Sequence, residues 1–208
     1  MSLPRLMLVT DRLRIRGREL ARIVVDAVAG GVGIVQIREK DLADDTLRAL
    51  VGRIREKVGP STLLVVNGRV EVARAEGCGL HLPAAVPLPE RRELSLIGRS
   101  VHDVDEARRA LAEGVDYLVV GPIYPTPSKP GHPGWGVDLI RDTLDLAGAI
   151  PIFAIGGIHP CNVPEVVHAG AWGVAVSGAI LSAADPGRAG QALSLALDVA
   201  RRGHGGSS

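Results

Sequence analysis

The chain has 208 residues, long enough to bury a core without disulfides or metal and short enough for a single domain. Hydrophobic residues make up 46% of it but aromatics only 2%, so the core must be aliphatic, as in buried parallel strands. A formal net charge of +1, with both signs interspersed, argues against nucleic acid and anionic membranes as partners and for a small molecule. Cys78 and Cys161 lie far apart with no CxxC spacing, which suits reduced thiols and disfavours a zinc site. No apolar run reaches the roughly 18 residues of a membrane span, and Met1 to Arg5 lacks the regions of a signal peptide. A cytoplasmic protein is expected.

In chain order, short aliphatic runs predict strands at 6–10, 34–37, 63–66, 79–82, 96–98, 117–120, 152–155 and 173–176. Helical spacing with charged faces predicts helices at 18–29, 43–58, 104–113, 137–147 and 186–201. The connections after the third and fourth strands are shorter and carry no clear helix. Alternating strands and helices imply a parallel sheet, and eight repeats imply an α/β fold of the (β/α)8 TIM barrel type. An open doubly wound sheet would need a glycine-rich dinucleotide turn after its first strand, and residues 10–17 contain no GxGxxG. Glycines at Gly30-Gly31, Gly77 and Gly170 suit left-handed helix caps. One barrel over residues 1–202 is expected, followed by a disordered Gly/Ser-rich tail at 203–208.

In such a barrel the chemistry sits at the strand C-termini. After the second strand, Gln36, Arg38 and Lys40 reach the mouth, with Gln36 and Arg38 on one side of the strand; Glu39 is a candidate ion-pair partner for Arg38. The seventh and eighth units end in Gly156-Gly157 and Val176-Ser177-Gly178, where backbone N–H groups can converge on a phosphate. The plainer alternative is a pair of tight turns. The loop at 121–134 is long for a βα connection, and with Thr126 and Lys129 it reads as a lid over an anionic substrate. Ser100 and His102 follow the fifth strand, and His102 is open between proton transfer and a structural hydrogen bond. His81, inside a strand, reads as a core residue, while His168 reads as an exposed helical one.

Val9-Thr10-Asp11, 36–40, 97–102, 121–129, 154–158 and 175–180 together resemble the thiamine phosphate synthase and TenI superfamily, in order over about residues 6–181. The resemblance implies the same barrel, a thiazole phosphate partner with its phosphate at Gly156, Gly157, Val176, Ser177 and Gly178, and a substrate-contacting Asn67. The synthase branch joins a pyrimidine pyrophosphate to the thiazole phosphate with Mg²⁺ held by two aspartates. Here those places read Asn67-Gly68-Arg69 and Leu82-Pro83-Ala84, so neither carboxylate is present and no metal or other cofactor is expected. Asn67-Gly68-Arg69-Val70, Leu82-Pro83 and 97–102 look more like TenI proteins, a branch that includes a thiazole tautomerase which moves a proton within a carboxylated thiazole phosphate. That tautomerase carries an acid/base His where this chain has Pro122, which leaves His102 and then His132 as proton-transfer candidates. The expectation is therefore a tautomerase, with a synthase as runner-up and a non-catalytic thiazole phosphate-binding regulator as a third reading. A homo-oligomer is left open.

Overall fold

In a computed structural model, residues 2–15, 17–91 and 93–204 are described. Eight parallel strands close into one barrel in sequence order, with the last strand paired to the first. The strands are β1 (Leu6–Val9), β2 (Ile34–Ile37), β3 (Leu63–Asn67), β4 (Gly79–Leu82), β5 (Ile97–Val101), β6 (Tyr117–Val120), β7 (Ile152–Ile155) and β8 (Gly173–Val176). The helices are α1 (Leu20–Ala29), α2 (Asp44–Val58), α3 (Val70–Ala75), α4 (Val104–Ala112), α5 (Asp138–Ala147), α6 (Val163–His168), α7 (Gly178–Leu181) and α8 (Pro186–His204). A single 3-10 turn at Arg12–Arg14 follows β1.

Because the strands are covered on both faces, their side chains divide into two cores. Met7, Val9, Ile34, Val65, Tyr117, Val119, Phe153 and Ala175 fill the barrel interior, while the larger aliphatic set packs between the strands and the helices. Tyr117 and Phe153 meet edge-on inside the barrel with ring centroids 5.7 Å apart, so two of the few aromatic residues plug its centre.

Three expectations change. The fifth strand runs to Val101 rather than ending at Gly98, which puts Ser100 inside β5. The short connection after β3 does hold a helix, α3, whereas residues 83–96 join β4 to β5 without one among those described. Arg99, 4% exposed, holds this helix-free loop: its Nη1 donates to the carbonyls of Ala84 at 3.0 Å and Val86 at 2.6 Å, and its Nη2 lies 2.6 Å from Glu113. One buried guanidinium nitrogen gathering loop carbonyls, with Glu113 beside the group to balance its charge, substitutes for the helical packing that the other units use. At the C-terminus, Gly203 and His204 continue α8, so the tail does not begin at 203. The rest of the expected tail, 205–208, lies outside the described residues.

Candidate functional site at the barrel mouth

A cavity of about 640 Å³ opens at the C-terminal ends of the strands, within the usual range for small-molecule sites. Gln36, Arg38, Asn67, Ser100, His102, Thr126 and Lys129 all line it, as do Gly156, Gly157, Val176, Ser177 and Gly178. Two expected residues do not. Lys40 is exposed and contributes its carbonyl to Arg69, because the chain has left the strand and its alternation no longer aims the side chain inward. His132 turns onto the lid itself: its Nδ1 accepts the Gly134 N–H at 3.0 Å and its ring lies edge-on to Trp135, 4.9 Å between centroids.

The proposed Arg38–Glu39 pair is also corrected. On extended chain neighbouring side chains point oppositely, and Glu39, only 5% exposed, takes the Thr10 hydroxyl at 2.6 Å and the Arg12 N–H at 3.0 Å. The Arg38 guanidinium thus faces the cavity without a hydrogen-bonded acid among the described residues.

His102 is placed by the start of α4. Asp103 caps this helix by accepting the Glu106 N–H at 2.7 Å, and Glu106 reaches back to the His102 N–H at 2.8 Å and to its Nδ1 at 2.9 Å. This variant of a capping box fixes the ring and leaves Nε2 without a hydrogen-bond partner among the described residues. Below it, His81 is buried, with Nε2 2.8 Å from the Ser100 hydroxyl and Nδ1 3.2 Å from the Tyr117 hydroxyl. Burial, reinforced by the charges of Arg38 and Arg99, pushes the His81 pKa down to about 3, so it is a neutral ring that orients Ser100.

The glycine turns serve packing as well as any ligand. Gly156 and Gly157 both have positive φ, and a Cβ on either would come within 2.7 Å of the segment 122–125. These turns therefore press the lid's first residues against β7. At the next strand end, the N–H groups of Gly178 and Ala179 head α7 with no carbonyl one turn behind them, and the Ser177 side chain makes no cap. Pro122, where the resemblance would have a histidine, lines the cavity.

The sequence reading missed Asp11 and Arg14, which also line the cavity. Asp11 stands in the Val9-Thr10-Asp11 stretch that carries the resemblance, whereas the advance signal for Arg14 was its position just past β1 and therefore at the mouth.

The donor chemistry does not fit the Mg²⁺ that the resemblance implies for the synthase branch. Asn67 is followed by Gly68 and β4 by Pro83, and no group of three or more His, Cys, Asp and Glu side chains converges among the described residues. Asp11 is engaged by Arg14, Glu39 by Thr10 and Arg12, and Glu106 by His102. A hard cation needs several oxygen ligands, and these carboxylates are separately committed.

A closed parallel barrel with cations, unpaired amides and a histidine around one mouth cavity has the architecture of small-molecule enzymes. The chain belongs to the thiamine monophosphate synthase family, whose model matches residues 6–180. It is 43% identical over 199 residues to a putative thiamine-phosphate synthase of Geobacter sulfurreducens, covering 90% of this chain and 92% of that protein. It is 41% identical over 214 residues to a thiamine-phosphate synthase of Mycolicibacterium gilvum, covering 94% and 89%. A thiamine phosphate pyrophosphorylase from Pyrococcus furiosus superposes with a TM-score of 0.83 at 29% identity, over 94% of this chain and 96% of that one. No helix among the described residues is long and apolar enough to cross a membrane.

Proposed function

We propose that the cavity binds a thiazole phosphate and joins it to a pyrimidine diphosphate, forming the thiamine phosphate that the relatives' names specify. The observation that carries this reading is the division of one cavity into two polar arcs. On one side, β7, β8 and the turn after β1 present Gly157, Ser177, Gly178 and Arg14; on the other, β2, β3 and β5 present Arg38, Asn67 and Ser100, and the lid, held at Ser128 by Arg14, adds Lys129. Two anionic groups can thus be held apart with the reacting rings between them. In the condensation the thiazole nitrogen attacks the methylene carbon of the pyrimidine, the N–C bond forming as the C–O bond to diphosphate breaks. The charge that accumulates on the leaving diphosphate falls to Arg38 and Lys129. Gln36 and Ser100 orient the rings, and the lid excludes water that would intercept the activated carbon.

The second reading, which was the leading expectation from sequence, is the tautomerase. Two observations favour it: the missing metal carboxylates, and the His102–Glu106 pair with Nε2 free to carry a proton. In that reaction a base removes the proton from the ring carbon bearing the carboxylate and the exocyclic carbon receives one, so the ring becomes aromatic with no net redox change. The relatives' names weigh the choice toward condensation.

Both reactions are assayed on the same preparation. Thiamine phosphate formation from the two phosphorylated substrates, with and without EDTA, tests the first. Aromatisation of the carboxylated dihydrothiazole phosphate, followed by ultraviolet absorbance, tests the second. Condensation at enzymatic rates that survive EDTA and the His102→Ala substitution is the expected result. Aromatisation without condensation, abolished in His102→Ala, would replace the first reading by the second. Ligand binding with neither reaction would leave a regulator.

A further inference from the structure

We propose that Arg14 recognises the phosphate group at the barrel mouth and latches the lid over it. The inference rests on the thiazole phosphate reading and assigns to it a residue from outside the glycine turns. Each nitrogen of this guanidinium faces a different element. Nε donates to Asp11 Oδ2 at 3.0 Å, which fixes the side chain against the turn that carries it. Nη2 donates to the Ser128 hydroxyl at 2.9 Å, at the tip of the lid. Nη1 has no hydrogen-bond partner among the described residues, and a Cβ added to Gly178 would lie 3.7 Å from it. The one donor edge of Arg14 left unengaged among the described residues therefore looks into the space that Gly178 leaves free past the end of β8.

This arrangement suits a tetrahedral anion. A guanidinium held by a carboxylate at Nε keeps its orientation, and its terminal nitrogens can then form charge-assisted hydrogen bonds with phosphate oxygens. The Asp11 carboxylate lies on the far, Nε side of the group. The lid tip is itself a turn, with Lys129 N–H donating to the Thr126 carbonyl at 3.0 Å, and its base is pinned where Trp135 and Gly136 donate to the Pro122 and Ile123 carbonyls. Among the described residues two side-chain hydrogen bonds tie the lid to other elements: the Tyr124 hydroxyl donates to Glu165 at 2.7 Å near the base, and Arg14 donates to Ser128 at the tip. Phosphate bound at Nη1 would hold Arg14 in place and, through Nη2, hold the lid closed.

The test compares thiazole phosphate with its unphosphorylated alcohol by calorimetry on the full chain, in the wild type and in Arg14→Ala and Arg14→Lys. The wild type is expected to prefer the phosphate. Arg14→Ala should lose about ten- to a hundred-fold in phosphate affinity with alcohol affinity unchanged, and Arg14→Lys should recover part of the loss. Hydrogen exchange in residues 125–131 should slow on phosphate binding in the wild type and not in Arg14→Ala. Retained phosphate preference in Arg14→Ala, or equal loss of both ligands, would overturn the assignment to Arg14 alone. No preference in the wild type would overturn the phosphate reading together with it.

Discussion

His81 shows how a titratable residue beside a site can be structural. Its two ring nitrogens are spent on Ser100 and Tyr117, and burial, with Arg38 and Arg99 adding to it, holds its pKa at about 3. A histidine in the unfolded chain titrates near 6.5. Between those values the unfolded chain carries a proton that the folded one rejects, so this contribution to stability is complete above about pH 6.5 and is lost as pH falls toward 3. Urea midpoints measured at intervals from pH 7.5 down to 4.5 should fall, at up to about 1.4 kcal/mol per pH unit from this group. His81→Gln should flatten that part of the slope, and an unchanged slope would mean that the acid sensitivity arises elsewhere. At this scale, position was legible in the sequence throughout, and direction only on strands. Gln36, Asn67 and Ser100 end inward rows of strands, so period-two alternation aims them at the cavity. Lys40 and His132 lie in loops, where no period aims a side chain, and both point elsewhere. Arg14 sits outside the strand periodicity, and only the fold brings the lid and Gly178 to it.

Among the elements, β5 and the lid depart most from what their sequences suggest. The polar pair Arg99-Ser100 interrupts the aliphatic run of β5, so the strand looks finished at Gly98, although pairing with β6 continues to Val101. Inside the barrel, the Tyr117 ring occupies the room left by Gly98: a Cβ there would lie 2.0 Å from the ring's Cζ. The glycine is thus the complement of one large side chain on the neighbouring strand, a case in which register decides residue size. Gly98→Ala should destabilise the barrel by about 1–3 kcal/mol or more, since a close-packed interior gives way only by moving the ring. Adding Tyr117→Phe would keep the clash, whereas adding Tyr117→Leu should recover part of the loss. Chemical denaturation of these variants and of Tyr117→Leu alone checks this, and strictly additive losses in the Leu double variant would refute the complementarity. How the β4–β5 loop is held was unreadable for a related reason. What holds it is Arg99 from the next strand, a tertiary interaction that leaves no mark in the loop's own sequence.

For the whole molecule, the eight aliphatic runs sufficed to imply a closed barrel because each is buried on both faces and so needs neighbours on both edges. Closure joins the two ends of the chain: β8 pairs with β1, and α8 packs on α1 and α6. Leu193, Leu197 and Ala200 of α8 are at most 5% exposed and belong to the same core as Ile23, Val24 and Ala27 of α1. The C-terminal helix is therefore the outer half of the seam that closes the barrel, and it supports the strand ends from which Gly178 and Arg14 project into the cavity. A chain ending at Asp185 retains every cavity-lining residue but uncovers this apolar strip. Such a chain should bind the dye ANS, lose cooperative urea unfolding, and lose affinity for thiazole phosphate even though no contact residue has been removed. If it instead unfolds cooperatively and binds ligand as the full chain does, the barrel closes on β1–β8 pairing alone, and α8 is a cover with no part in shaping the mouth.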